Sequence, residues 1–180
     1  MLSKSLVGTF VDIKRSSIDD DNLSGFVLDV SEELTLIHYM YDGFHLDGYC
    51  VILNSHVTAC NIFDDPDCFQ NRALRLKNIR PRKPRGIDIS NWTTAFESAS
   101  KHFPLLVVNR EASDPDTCLV GRLASMNANS ITLFSITPIA QWNGKTQFLI
   151  GDVTRLDFGG GYEDVLWKCA SEVGCVPDQS

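Results

Sequence analysis

The sequence has no apolar run long enough to form a membrane-spanning helix or the hydrophobic region of a secretory signal peptide. Its six cysteines include no C-x-x-C pair, a spacing that many zinc and redox sites use. No serine has the context of a nucleophile elbow, and no cysteine belongs to a Cys/His catalytic motif. We therefore expect a cytoplasmic, non-enzymatic protein with reduced, mostly buried thiols, no membrane partner and no cofactor.

The charge of the chain is strongly uneven along its length. The formal net charge is −7, yet residues 72–85 contain seven bases and no acid. These bases are Arg72, Arg75, Lys77, Arg80, Arg82, Lys83 and Arg85. Such a segment is suited to a phosphate backbone, which makes single-stranded nucleic acid one candidate partner. It also fits a solvated helix face followed by a linker that rests on the protein's own acidic surface. No aromatic residue for base stacking lies within it.

Sliding the chain against itself by 96 residues reveals an internal repeat. Several short phrases then coincide, which predicts a tandem duplication. The matching pairs are Leu23-Ser-Gly25 with Leu119-Val-Gly121, Asp47-Gly48 with Asn143-Gly144, Val57-Thr58 with Val153-Thr154, Asp20 with Asp116 and, after a slip of one residue, Leu34-Thr-Leu36 with Ile131-Thr-Leu133.

Each copy has the pattern of five short strands separated by turn residues. The fold class expected from it is mainly β with flanking helices, as a tandem duplication of a small five-stranded barrel. Asp47-Gly48 and Asn143-Gly144 are predicted to form the turn before the fourth strand of each copy. The predicted strands are 6–15, 23–30, 34–41, 49–53 and 57–62 in the first copy, and 105–111, 118–126, 131–137, 145–150 and 153–158 in the second.

Three amphipathic segments are predicted to be helices flanking these strands. One begins at a Ser90 N-cap and ends before Pro104. The others cover residues 68–79 and a stretch that follows Gly159-Gly-Gly161 and extends to Val173. We expect residues 1–80 to form the first barrel unit with its helix, 81–88 a basic Pro/Arg linker, and 89–180 the second unit with its two helices.

Two phrases, Asp47-Gly-Tyr-Cys-Val51 and the one running from Val153 to Glu163, resemble those of uncharacterised bacterial proteins with two tandem Sm-like barrels, relatives of the SH3-like barrels. The resemblance covers nearly the whole chain. It implies the Sm-like fold, in which rings form by pairing of edge strands and loop pockets bind single-stranded RNA. The Asp/Asn pair and the Arg-Gly or Lys-Gly step of that RNA pocket are missing here, so no RNA-binding residue is carried over.

Three functions follow as hypotheses. The first is a non-enzymatic interaction module that binds a protein partner or associates with itself. Open edge strands could pair with a neighbouring molecule, or the two units could pair with each other within one chain, so a monomer and a small oligomer are both expected. The second is single-stranded nucleic-acid binding through residues 72–85. The third is a metal-dependent enzyme using His45 and His56 with Asp47 and Cys50, although ordinary loop histidines fit the irregular spacing better.

Overall fold

The computed structural model describes residues 2–41 and 44–172. The first half of the chain forms five strands and one helix, and the second half forms two helices around five further strands. In the first half these are β1 (Phe10–Arg15), β2 (Asp19–Val30), β3 (Leu34–Tyr41), β4 (His45–Leu53), β5 (Ala59–Phe63) and α1 (Phe69–Leu76). In the second half they are α2 (Trp92–His102), β6 (Leu106–Arg110), β7 (Asp114–Met126), β8 (Ser130–Ile136), β9 (Trp142–Leu149), β10 (Arg155–Phe158) and α3 (Gly161–Glu172).

All ten strands belong to one antiparallel sheet in the order β5-β1-β2-β3-β4-β10-β6-β7-β8-β9. Within the described residues this sheet is open, and the prediction that each five-stranded unit closes into its own barrel is wrong. In a closed unit β4 would pair with β5. Instead β4 pairs with β10 of the other half, so its hydrogen-bonding edge is already satisfied.

The two halves repeat the same strand pairing at a constant offset of 96 residues over most of their length. Gly25 pairs with Tyr39 and Gly121 with Ser135, while Leu34 pairs with Leu53 and Ser130 with Leu149. Leu34 therefore corresponds to Ser130, and the one-residue slip predicted at this strand is wrong. The offset falls to 95 at the first strand instead, where the pairs are Arg15 with Asp19 and Arg110 with Asp114.

The glycines of the two predicted turns lie inside strands. Gly48 is within β4 and Gly144 within β9, with φ of 73° and 79°. The chain reverses earlier, between the third and fourth strands of each half, where Phe44 and Ala140 have φ of 60° and 59°. A positive φ in mid-strand is what a β-bulge requires, and the ladders shift register beside both glycines. The Asp-Gly and Asn-Gly signals thus mark bulges and not turns.

The three helices differ from their predicted limits only at the ends. α1 is shorter than predicted because it ends at Leu76, with Lys77 as its C-cap and Asn78 in a left-handed conformation with a φ of 52°. The N-cap of α2 is Asn91 and not Ser90, since the Asn91 side chain accepts the Thr94 N–H at 3.0 Å in a capping box. Val173, predicted in α3, lies outside the described residues. None of the described helices is long and apolar enough to cross a membrane.

One large apolar core joins the two halves. It includes Phe26 and Val51 from the first half, Leu133 and Leu156 from the second, and Phe96 of α2. A second core lies between the strands of the first half, and a smaller one packs α3 against the second half. Because the main core crosses the β4–β10 pairing, this junction is held by buried side chains as well as by backbone hydrogen bonds.

Candidate functional site

The junction between the halves is a short antiparallel ladder between β4 and β10. Tyr49 pairs with Phe158 at one end and Ile52 with Arg155 at the other. β10 pairs on its other side with β6, so this strand lies between the first half and the rest of the second. We use the term seam for this β4–β10 ladder.

A charged network is buried beside the seam. Arg15 at the end of β1 is fully buried, and its Nη2 donates to Asp19 Oδ2 at 2.7 Å and to Glu111 Oε1 at 2.8 Å. Its Nη1 donates to Glu111 Oε2 at 3.3 Å, and the Thr154 hydroxyl donates to the same oxygen. Arg15 belongs to the first half while Glu111 and Thr154 belong to the second. The guanidinium therefore connects the two halves through charge-assisted hydrogen bonds.

A second ion pair lies on β10 itself. Arg155 Nε donates to Asp157 Oδ1 at 2.7 Å, and the amide of Asn109 donates to the other carboxylate oxygen at 3.0 Å. Burial raises the pKa of Asp157, an effect that the neighbouring Arg155 opposes. The Arg155 guanidinium also lies over the ring of Tyr39 in the first half, 5.3 Å from its centroid. Cys50 is fully buried near these charges, and burial raises the pKa of its thiol to about 12.

The sheet ends in two strands that each have one neighbour among the described residues. These are β5, which pairs with β1, and β9, which pairs with β8. Neither strand contains proline, and Lys145 is their only charged residue. Ile62 on β5 is 46% exposed and Leu149 on β9 is 57% exposed. Edge strands are usually protected by prolines, several charges or bulges, and these two carry little of that protection beyond the bulge at Gly144.

The basic residues predicted to bind nucleic acid differ in their surroundings. Lys83 Nζ lies 2.5 Å from Asp29, and Arg75 lies 3.8 Å from Asp67 and donates to the Pro66 carbonyl. The Lys83 contact agrees with a linker resting on the acidic first half. Arg72 and Lys77 are exposed on and just after α1, and Arg85 is exposed in the linker. Nucleic-acid binding through the whole segment stays a prediction.

Arg80 and Arg82 lie elsewhere, at an open pocket of about 880 Å³ between the β3–β4 hairpin and the start of the linker. The ring of His38 in this pocket stacks on Tyr49 with centroids 4.7 Å apart. His38 Nδ1 accepts the backbone N–H of Arg82 at 3.1 Å. Burial, reinforced by Arg82, lowers the pKa of His38 to about 4. The other residues lining the pocket are Phe44, His45, Leu46, Asn78, Ile79 and Pro81.

The hypothetical metal site is not assembled. Asp47 Oδ1 accepts the N–H of Gly161 at 2.7 Å, Cys50 is buried at the seam, and His45 is exposed at the pocket. Across residues 2–41 and 44–172, no group of three or more His, Cys, Asp or Glu side chains is placed to hold a metal ion. Asp47 is thus engaged at the start of α3, whose first residue is the last glycine of the triplet, where a carboxylate is favoured by the helix dipole.

Sequence reasoning missed the buried Arg15 and its partners. The available signal was a charged residue at the end of the apolar alternation of β1, in Phe10-Val-Asp-Ile-Lys-Arg15.

The chain matches no protein-family model, no curated protein and no solved structure.

Proposed function

We propose that this protein is a non-enzymatic interaction module that associates with itself head to tail, by pairing β9 of one copy with β5 of the next. The observation that supports this is the seam, in which β4 of the first half pairs with β10 of the second. At the offset of 96 residues, β9 is the counterpart of β4, and β5 is the counterpart of β10. The two counterparts are the strands at the ends of the sheet. One chain thus contains one formed junction, and its two edge strands are the strands that a second junction between two copies would need.

The seam also predicts the register of the intermolecular pair. Its pairs are Tyr49 with Phe158, Cys50 with Asp157, Val51 with Leu156 and Ile52 with Arg155. Adding 96 to the residue numbers of β4 gives β9, and subtracting 96 from those of β10 gives β5. The same register then places Lys145 opposite Ile62 and Phe148 opposite Ala59. In antiparallel sheets, directly opposite side chains lie close enough to stabilise or destabilise the pairing. The Lys145–Ile62 position is therefore the most informative one to alter.

The composition of the two edges supports pairing over solvent exposure. Every residue of β5 and β9 has a backbone N–H to donate, because neither strand contains proline. β5, with the sequence Ala-Cys-Asn-Ile-Phe, has no charge at all. A head-to-tail contact of this kind uses two different surfaces, so it produces rings where the rotation closes and open chains where it does not. The resemblance to tandem Sm-like units, whose relatives pair edge strands, points the same way.

The test compares two substitutions at one exposed position. Ile62→Lys places a like charge opposite Lys145, whereas Ile62→Glu places an opposite charge there. We expect light scattering to show a mass that increases with concentration for the wild type. The dissociation constant of the Lys variant should be roughly fivefold higher than that of the Glu variant, which corresponds to a difference of about 1 kcal/mol in the free energy of association.

The double variant Ile62→Lys with Lys145→Glu should associate about as strongly as Ile62→Glu. It again places opposite charges across the strand pair, with their positions exchanged. Both single variants lose the same isoleucine, so a purely hydrophobic effect would change them equally. A monomeric wild type at every concentration would contradict the proposal, and so would equal association of the Lys and Glu variants.

A further inference from the structure

The pocket beside the β3–β4 hairpin has a composition unlike the rest of this acidic protein. Its lining contains two arginines and two histidines and no aspartate or glutamate within the described residues. We propose that it binds a nucleotide-like ligand, with Arg80 and Arg82 contacting the phosphate and the aromatic wall contacting the planar ring. The site is separate from both edge strands, so it goes beyond the self-association proposed above.

The charge distribution supports an anionic ligand. Lys83 and Arg75, close by in sequence, are paired with Asp29 and Asp67. Arg80 and Arg82 are exposed, and neither makes an ion pair with another described residue. Guanidinium groups suit phosphate because their planar donors can bind two of its oxygens at once. The described lining contains no carboxylate, so these residues provide no negative charge to bind an ammonium or metal cation.

The wall of the pocket supports a planar ring. His38 and Tyr49 form a stacked pair inclined by only 21°, and Phe44 and Leu46 provide apolar surface beside them. His38 Nδ1 accepts a hydrogen bond from the Arg82 backbone, so this nitrogen carries no proton and the imidazole is neutral. Flat aromatic surfaces bind nucleobases by stacking, at about 1–3 kcal/mol per base.

The arrangement is held in place by contacts that do not use the arginine side chains. His38 is 8% exposed, and its ring accepts the backbone N–H of Arg82. This contact positions residue 82 and leaves the Arg82 guanidinium available to a ligand. The volume of about 880 Å³ is within the range of small-molecule sites and accommodates a mononucleotide.

The experiment uses isothermal titration of the full chain with AMP, adenosine, inorganic phosphate and a single-stranded decanucleotide. We expect AMP to bind more tightly than adenosine or phosphate, with an affinity that falls as salt rises. The double variant Arg80→Ala/Arg82→Ala should lose at least tenfold in AMP affinity. The matched control Arg72→Ala/Arg85→Ala removes the same charge from the same segment outside the pocket, and its AMP affinity should change less than threefold.

Three results would overturn the proposal. One is the lack of AMP binding up to about 1 mM by correctly folded wild type. Another is an equal loss in the control variant, which would show only the general charge of the segment. The third is that the decanucleotide binds far more tightly than AMP and that its affinity decreases equally in both double variants. This result would indicate a nucleic-acid surface along residues 72–85. Because Ile62 and Lys145 are unchanged in these variants, association measured in parallel separates this outcome from failure of the head-to-tail proposal.

Discussion

Arg15 and Glu111 form a largely buried ion pair, 2.8 Å between Nη2 and Oε1, that links the first half of the chain to the second. Arg15 is fully buried and Glu111 is 13% exposed, so water compensates little for either charge. The pair lies beside the seam, where the Thr154 hydroxyl adds a hydrogen bond to the same carboxylate. This contact should therefore contribute far more to the junction than the exposed pairs of the surface.

Replacing Glu111 with alanine should destabilise the protein by about 3 kcal/mol, because it leaves the buried Arg15 with only Asp19 as a charged partner. Urea unfolding followed by tryptophan fluorescence measures the change. Lys168→Ala is the control, since Lys168 and Asp164 form an exposed pair of the kind worth about 0–1 kcal/mol. The double variant Arg15→Met/Glu111→Leu should recover part of the loss. A change below about 1 kcal/mol in Glu111→Ala would show that the pair does not hold the junction.

Gly25→Ala should destabilise the protein by about 1–3 kcal/mol, because the new Cβ would collide with the backbone carbonyl of His38 on the adjacent strand. Gly121→Ala should behave alike, since its Cβ would meet the carbonyl of Phe134 at the equivalent place. Thermal unfolding of both variants checks this. Gly151→Ala is the control, because its Cβ would meet no atom of the described chain within 4 Å. Wild-type stability of either strand variant would contradict the close approach.

Lowering the pH from 6.5 to 4 should destabilise the protein through His38, whose pKa falls from 6.5 to about 4 on burial. In this range the unfolded chain binds a proton at this imidazole and the folded chain does not, so acid favours unfolding. The contribution is less than about 1.4 kcal/mol per pH unit. Unfolding midpoints at pH 7 and pH 5 should therefore differ less in His38→Gln than in the wild type. Identical differences would show that the imidazole is not held neutral.

Thiol reactivity should divide the cysteines into distinct classes. Cys118 and Cys169 are exposed, whereas Cys50 is buried and has a pKa of about 12, so it has almost no thiolate at pH 8. In a Cys175→Ser variant, which removes the cysteine outside the described residues, we expect Cys118 and Cys169 to react with a disulfide reagent within the mixing period. Cys50 should react only on unfolding. Mass spectrometry of the labelled protein identifies the sites, and rapid labelling of Cys50 would contradict its burial.

Much of the strand pattern was predictable because alternation and turn residues are local signals. The repeat was also visible, since an offset of 96 leaves short phrases such as Leu-Ser-Gly25 and Leu-Val-Gly121 in equivalent positions. The assignment of Asp47-Gly48 as a turn failed for a physical reason. A glycine with positive φ suits a mid-strand bulge as well as a hairpin, and the sequence does not distinguish the two.

The junction itself was not predictable from local patterns. Barrel closure and pairing with the other half satisfy the same edge of β4, and nothing in Tyr49-Cys-Val-Ile52 indicates which partner it takes. Arg15 and Glu111 are distant in sequence and become partners only through that choice. The expectation of mostly buried thiols was also wrong. Cys118 and Cys169 are exposed, Cys60 and Cys68 are partly buried, and among the described cysteines Cys50 alone is buried.

The position of β10 in the sheet has a consequence for synthesis of the chain on the ribosome. β10 is the last of the described strands to be made, yet it is inserted between β4 and β6 and does not extend the end of the sheet. The nascent first half therefore emerges with the β4 edge open and with Asp19 but not Glu111 available to pair with Arg15. The full set of contacts must wait until Glu111 and residues 155–158 have been translated. Domains generally fold from the N-terminus as they emerge. Here the first half is complete in sequence long before its junction is, and a ribosome stalled before Arg155 carries an open β4 edge available to another nascent chain.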